Sequence, residues 1–407
     1  MGSAGGTGSA RRARERHAAH YAQTLKALDA AYRQRGVSVA TTLSEFQEAL
    51  PNIRRGQRWA AAAWRTDDTA AVLCSRYALW GAHVLEAWQP PRERLVWLRQ
   101  ALRAARCRDV ESDIGEHLGN LGGVYLDLGR YERARALCER HLTWVRRLGD
   151  RRAECHALNN LGVVLSHLDA PNEALERLHA ALALSEGIDE ELGIGTALGN
   201  LGAAYRETGD VVQALAYARR HAEHVGWVGD RRGEAIAHQN LATLADEQDG
   251  VDEALEHYTR ALALAREVSD RRIEGAVLAS LARHAHHAGD SVRARHCAEH
   301  ALAAASGAND LDTLAHAHVT LGHLDTDAQR RDDADGHFRE ALACYRRLSD
   351  DGGAVDCLTN LGSLHLAERR LVPARRWLDD ALAGARRLDD ARALFDVLEA
   401  YGRLCTR

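Results

Sequence analysis

From residue 111 onward the pattern of apolar, small and polar positions repeats. Asn120-Leu121-Gly122, Asn160-Leu161-Gly162 and Asn200-Leu201-Gly202 stand 40 residues apart, and Asn240-Leu241-Ala242, Ser280-Leu281-Ala282, Thr320-Leu321-Gly322 and Asn360-Leu361-Gly362 continue the register without insertion or deletion. Twelve residues after each small residue comes an alanine: Ala134, Ala174, Ala214, Ala254, Ala294, Ala334 and Ala374. Eight further on runs a leucine column, Leu142, Leu182, Leu262, Leu302, Leu342 and Leu382, with Ala222 as its one departure. An acid closes every unit, at Asp150, Glu190, Asp230, Asp270, Asp310, Asp350 and Asp390.

This pattern predicts a helix, a tight turn and a second helix in each of seven units. The closing acid caps the next helix by accepting from its free N–H groups. Gly129, Gly209 and Gly289 fall where the first helix ends, a position that favours positive φ. The small residue after leucine and the invariant alanine mark close approach of two helices. One hairpin cannot bury its own apolar face, so neighbours stack.

The small residue after leucine, the turn glycine and the alanine columns, the later one at Ala181, Ala261, Ala301, Ala341 and Ala381, resemble the tetratricopeptide repeat. A period of 40 against the usual ~34 admits HEAT and armadillo units as rivals. The internal spacings decide against them: the first half keeps tetratricopeptide spacing and the extra residues lengthen the second helix and its exit, as in kinesin-light-chain-like proteins. The resemblance implies an all-α, right-handed α-solenoid, a superhelix of tetratricopeptide hairpins. It also implies the layout: a flexible tail or linker over 1–10, an N-terminal helical subdomain with degenerate repeats over 11–110, seven repeats over 111–390, and a capping helix over 391–407. In the subdomain Trp80-Gly81-Ala82 and Ala101-Leu102 keep the register, but Arg94 takes the invariant-alanine position and Pro90-Pro91 replaces the turn. Trp59, Trp64, Trp80, Trp88 and Trp97 gather there.

Composition agrees with helix and narrows the function. Alanine, leucine and arginine dominate the 407 residues, with five prolines, so helix is the local preference. Lys26 is the only lysine, an arginine bias that reads as a high-GC bacterial coding sequence. The net charge of -5 is spread without blocks of one sign, which argues against nucleic acid and membrane surfaces as partners. Eight cysteines without a Cys-x-x-Cys pair read as small core residues in a reducing compartment, and no stretch has the length of an apolar membrane span. The expected location is cytoplasmic.

No motif for catalysis stands out: there is no Gly-x-Ser-x-Gly elbow, Walker lysine or His-Glu-x-x-His, and Gly2 to Gly8 lacks a phosphate-loop ending. The expectation is no catalytic residue, no metal and no cofactor. His284, His286, His287, His296 and His300 form the densest histidine cluster, and a metal hydrolase built on it is a third functional reading. In register, however, His296 and His300 fall on an outer face, and His284 falls on an apolar column, as a core residue with a hydrogen bond.

The informative surface is the concave side that the first helices line in such a superhelix. With the repeat asparagine as i, positions i−4, i, i+3 and i+7 share a face. That face carries Asn120, Asn160, Asn200, Asn240 and Asn360, together with His156, Val163, His167, Glu207, Thr243, Glu247, Arg283, His287, His316 and His323. An asparagine amide both donates to and accepts from an extended peptide backbone, and proteins with similar repeats use asparagine ladders in this way. The competing reading ties each amide to the neighbouring helix, in which case recognition passes to the tryptophan-rich subdomain. Acids prevail in the early repeats and bases in the later ones, which favours a bipolar protein or peptide partner.

The segment from Arg11 to Trp64 resembles the helical linker between a nucleotide-binding module and its tetratricopeptide sensor in bacterial STAND-type regulators. That resemblance implies a non-catalytic, ligand-sensing arm with a nucleotide-binding module N-terminal to it. A free-standing adaptor or peptide receptor is the alternative.

Overall fold

A computed structural model describes residues 4–33, 39–168, 170–308, 310–348, 350–388 and 391–405. All its regular structure among these residues is helical, in two compact units, Met1–Asp230 and Arg231–Arg407. The first contains α1 (Ala4–Arg33), α2 (Val39–Ala63), α3 (Asp68–Trp80), α4 (Ala82–Trp88), α5 (Pro91–Cys107), α6 (Glu111–Asp127), α7 (Tyr131–Leu148), α8 (Arg151–Ser166), α9 (Pro171–Glu186), α10 (Glu191–Glu207) and α11 (Val211–Val228). The second contains α12 (Arg231–Asp246), α13 (Val251–Glu267), α14 (Arg271–His287), α15 (Ser291–Ala308), α16 (Leu311–Asp327), α17 (Arg331–Leu348), α18 (Asp351–Ala367), α19 (Leu371–Leu388) and α20 (Ala391–Cys405). From α6 to α19 consecutive helices pair as hairpins, one per 40-residue unit, and the result is an all-α solenoid of helical hairpins.

The expected columns are where the helices touch. All seven invariant alanines and all five of the later alanine column are 0% exposed. A Cβ placed on Gly122, Gly162, Gly322 or Gly362 would lie 2.6–2.7 Å from the side chain of Cys138, Leu178, Phe338 or Leu378, on the second helix of the same hairpin. Of the expected acids, Asp150, Glu190, Asp270, Asp310 and Asp350 accept from backbone N–H groups of the following helix. Asp390 lies outside the described residues.

The turns are more regular than the glycines foretold. Gly129, Gly209 and Gly289 have φ of 65, 79 and 81°. Positive φ recurs every twenty residues, at 109, 129, 149, 189, 209, 229, 249, 269, 289, 329 and 369, so the exits of second helices use the same device as the turns inside hairpins. The remaining members of the series, 169, 309, 349 and 389, lie outside the described residues.

The alanine column has two gaps, His141 and His221, each 5% exposed. Both rings pack on a glycine of the preceding helix: a Cβ on Gly119 would meet the His141 ring at 2.7 Å, and one on Gly199 the His221 ring at 3.1 Å. Glycine opposite histidine does the steric work that alanine opposite a larger residue does elsewhere.

The N-terminal part packs with larger side chains. Phe46, Ile53, Tyr77 and Leu25 are fully buried, and Tyr77 donates to the Ala18 carbonyl at 2.7 Å. Helix α1 begins at Ala4, inside the stretch expected as a tail. The in-register first helix of the degenerate unit is broken at Gly81 into α3 and α4. A Cβ on Gly81 would meet the Leu25 side chain at 2.7 Å, so glycine here admits α1. The break exposes backbone donors, and Asp29 of α1, 5% exposed, satisfies them: its Oδ1 accepts from His83 N at 2.8 Å and Val84 N at 2.9 Å.

Candidate functional site

Five of the seven hairpins carry the repeat asparagine on their first helix, with Ser280 and Thr320 at that position in the other two. In the first unit α6, α8 and α10 present Asn120, Asn160 and Asn200, half-buried, exposed and half-buried. In the second, α12 and α18 present Asn240 and Asn360, both half-buried. Among the described residues none of these five side chains has a hydrogen bond or ion pair within the chain. A half-buried amide left open on both its donor and acceptor sides costs little while water reaches it and is available to a ligand.

The other expected residues divide. His156 and Val163 are half-buried, and Glu207, Glu247, Arg283 and His287 are exposed. His167 is exposed and stacks on Tyr131, ring centroids 4.7 Å apart. His316 is exposed, with Nδ1 3.3 Å from the Tyr345 hydroxyl, and His323 stacks on His286 at 6.0 Å. Burial, then the neighbouring His286, holds the His323 imidazole below its ordinary value. Thr243 departs from expectation. It is buried, its hydroxyl donates to the Gln239 carbonyl at 3.0 Å and lies 3.4 Å from the Tyr258 hydroxyl, so it belongs to the hairpin interior.

The histidine cluster resolves as the register indicated. His284 is 4% exposed with Nδ1 2.7 Å from Asp246 Oδ1, while His296 and His300 are exposed. Among the described residues no three His, Cys, Asp or Glu side chains converge to hold a metal ion, and no helix is long and apolar enough to cross a membrane. The seven cysteines whose side chains are described are free thiols, six of them buried, and burial pushes Cys74, Cys138 and Cys357 up to about 12.

A cavity of about 720 Å³ opens in the first unit where the broken helix meets the regular hairpins. It brings together Glu116, Asn120 and Gly123 of α6 with His156 and Asn160 of α8, all on the face marked in the sequence. Trp80, Arg94 and Trp97, noted in the sequence as departures of the N-terminal subdomain, also line it, and His83, Glu86 and Gln89 around the break and His141 of α7 join them without having been marked. Arg94 stands where every regular unit has alanine, and its guanidinium pairs with Asp127. The Gln89 amide, 3% exposed, is turned to Glu93 and helps hold that carboxyl below its ordinary value, whereas His141 has neither ring nitrogen in a hydrogen bond. Burial, then His156, pushes His141 down to about 4, so its ring is neutral at neutral pH.

The comparisons with known proteins agree with this architecture. Residues 113–187, 154–224 and 193–267 match the family model for the tetratricopeptide repeat. No curated protein matches the sequence. Among solved structures, a Rap protein complexed with competence and sporulation factor superposes with a TM-score of 0.59 at 16% identity, covering 75% of this chain and 81% of that one. The apo quorum sensor NprR from B. thuringiensis gives 0.57 at 13%, covering 85% and 98%. A STAND protein with a tetratricopeptide repeat sensor from Pyrococcus horikoshii gives 0.54 at 13%, covering 95% of this chain but 63% of that protein's length. At such identities the likeness is one of fold. Within this all-α solenoid, residues 113–267 are tetratricopeptide repeats.

Proposed function

We propose that the chain is a non-catalytic scaffold that holds an extended peptide segment of a partner against the asparagine-bearing faces of its first helices. The observation that carries this reading is the unpartnered state of Asn120, Asn160, Asn200, Asn240 and Asn360. Amides that tied neighbouring helices together would be bonded to them, and these are not. The fold is shared with a Rap protein that was crystallised with a competence and sporulation factor.

The test begins with peptides selected on the protein from a random display library. Asn120→Ala, Asn160→Ala and Asn200→Ala each remove one bidentate amide, at about 0.5–1.5 kcal/mol per lost hydrogen bond, so the triple variant binds more than about tenfold weaker. Its melting temperature stays near that of the parent. A triple variant that melts much earlier while its folded fraction binds normally would make the asparagines structural ties.

The finer reading is a ligand-sensing arm of a STAND-type regulator with a nucleotide-binding module N-terminal to it. It is supported by the resemblance of 11–64 to a sensor linker and by the fold shared with the STAND protein. The free-standing peptide receptor is the second reading, supported by the NprR likeness. An ATPase reading frame fused or adjacent upstream, whose product co-purifies with this chain, favours the first. The absence of such a frame favours the second.

A further inference from the structure

The cavity beside α4 carries more chemical information than the ladder. Its apolar wall comes from Trp80, Leu85, Trp97 and Leu98, and its volume falls within the roughly 300–1,000 Å³ of small-ligand pockets. One buried polar side chain in that wall, His141, has neither ring nitrogen in a hydrogen bond, while the Gln89 amide is turned to the Glu93 carboxylate. An unpartnered buried group costs about 1–3 kcal/mol, and the His141 ring sits in the wall of the cavity.

The charges in the wall are unequal in what they leave free. Arg94 is held by Asp127, and Arg152 by Glu190 at 3.1 Å. Asp150 spends one oxygen on the Ala153 N–H at 2.9 Å. Glu86 and Glu116 have neither hydrogen bond nor ion pair among the described residues. The protein around Glu116, then the repulsion of Asp150 and Asp113, holds its carboxyl above the ordinary value, with His83 partly offsetting them. The uncommitted charge of the cavity is therefore negative, while the enclosed His141 ring stays neutral. An anion would meet two free carboxylates, and of the guanidiniums only the enclosed Nε of Arg94 lacks a partner. A cation with an apolar stem meets carboxylates at its head and tryptophan and leucine along its length.

We propose that this cavity is an anchor pocket for a lysine or arginine side chain of the bound peptide, its ammonium or guanidinium received by Glu86 and Glu116 and its stem laid against Trp80 and Trp97. The assignment rests on the peptide-binding reading above and names the residue that the peptide must carry.

The probes are Nα-acetyl-arginine amide and Nα-acetyl-lysine amide, each against its neutral counterpart, citrulline or norleucine, titrated while indole fluorescence or calorimetry is followed. Charge-assisted hydrogen bonds make the cationic probe bind at least about tenfold tighter than the neutral one. Glu86→Gln with Glu116→Gln removes that preference; both positions are exposed, so the fold stays intact. Gly123→Trp fills the cavity from a position with no atom within 4 Å of an added Cβ, and it abolishes binding of both probes. Equal binding of citrulline and arginine, no binding of any probe at millimolar concentration, or indifference to the double glutamine variant would each overturn the proposal. Asn120 and Asn160 line the cavity as well as the ladder, so the discriminating triple variant is Asn200→Ala, Asn240→Ala and Asn360→Ala, none of which lines it, and that variant leaves the binding of these blocked amino acids unchanged. If the probes behave as stated while the selected peptides ignore that triple variant, the pocket stands and the ladder reading fails. If the ladder variant weakens the peptides but arginine within them is dispensable, the reverse holds.

Discussion

Residues 68–107 and 111–148 run in the same register 40 residues apart, yet only the second stretch folds as an uninterrupted hairpin. In α6 and α7 the small columns stay small, Gly122 and Ala134, and the one large intruder, His141, lies over Gly119. In α3 to α5 the equivalent of Ala134 is Arg94, and no glycine opposite makes room for it. The first helix parts at Gly81 instead, α4 packs on α1 under the Asp29 cap, and a cavity remains. A repeat can thus absorb a large polar residue by trimming the facing helix or by breaking it, and only the second route leaves a hole.

Acid gives the largest separation between polar and alanine-filled columns. Burial pushes His117, His141 and His221, all in the first unit, down to about 4. The unfolded chain takes up these protons near pH 6.5 and the folded chain resists them until about 4. Stability is therefore full above pH 6.5 and falls as pH drops toward 4, by up to about 3 kcal/mol per histidine. Urea midpoints measured between pH 7 and 4.5 should show this slope, and His221→Ala, which restores the column's residue, should flatten it. An unchanged slope would mean that His221 titrates freely.

Overpacking comes next. Ala254→Leu in a regular hairpin should cost roughly 1–3 kcal/mol. Arg94→Leu, beside the cavity and freeing an Asp127 that water can reach, should stay within about 1 kcal/mol. Equal losses at the two positions would erase the distinction between the broken unit and the rest.

The cap on the broken helix is worth less. Asp29→Ala leaves two N–H groups of α4 without their acceptor and should cost about 0.5–2 kcal/mol. Hydrogen exchange should accelerate at His83 and Val84 while α6 amides hold. The smallest effect is a gain: Gly123→Ala, into open space on an intact helix, should add about 0.5–1 kcal/mol.

Much of this was legible before any coordinates, for a physical reason. Seven tandem units sample the same packing site seven times, so Gly122, Ala134 and their equivalents announce a close approach by recurrence alone. The positive φ at Asp189, Asp249, Ser269, Gln329 and Arg369 was hidden because only some units spell that turn with glycine. The pairing of His141 with Gly119 and His221 with Gly199 had a signal, two gaps in one column matched by two glycines in another. The cavity had less. Arg94 stood out as a departure, but its consequence depends on Gly81 and Leu25 meeting across 56 residues of chain, which no single register displays. Thr243 shared a helical face with the ladder and still turned inward, because Tyr258 offered its hydroxyl a buried neighbour.

The positive φ that recurs at twenty-residue spacing from 109 onward among the described residues also bears on how such a chain can change length. A helix between two of these residues has a fixed length, so one residue inserted inside it moves the small residues that follow in that helix off their contacts. Gain or loss of a whole forty-residue segment preserves every phase. The architecture is therefore quantised in length: it accommodates one more or one fewer complete segment far better than one more residue inside a segment.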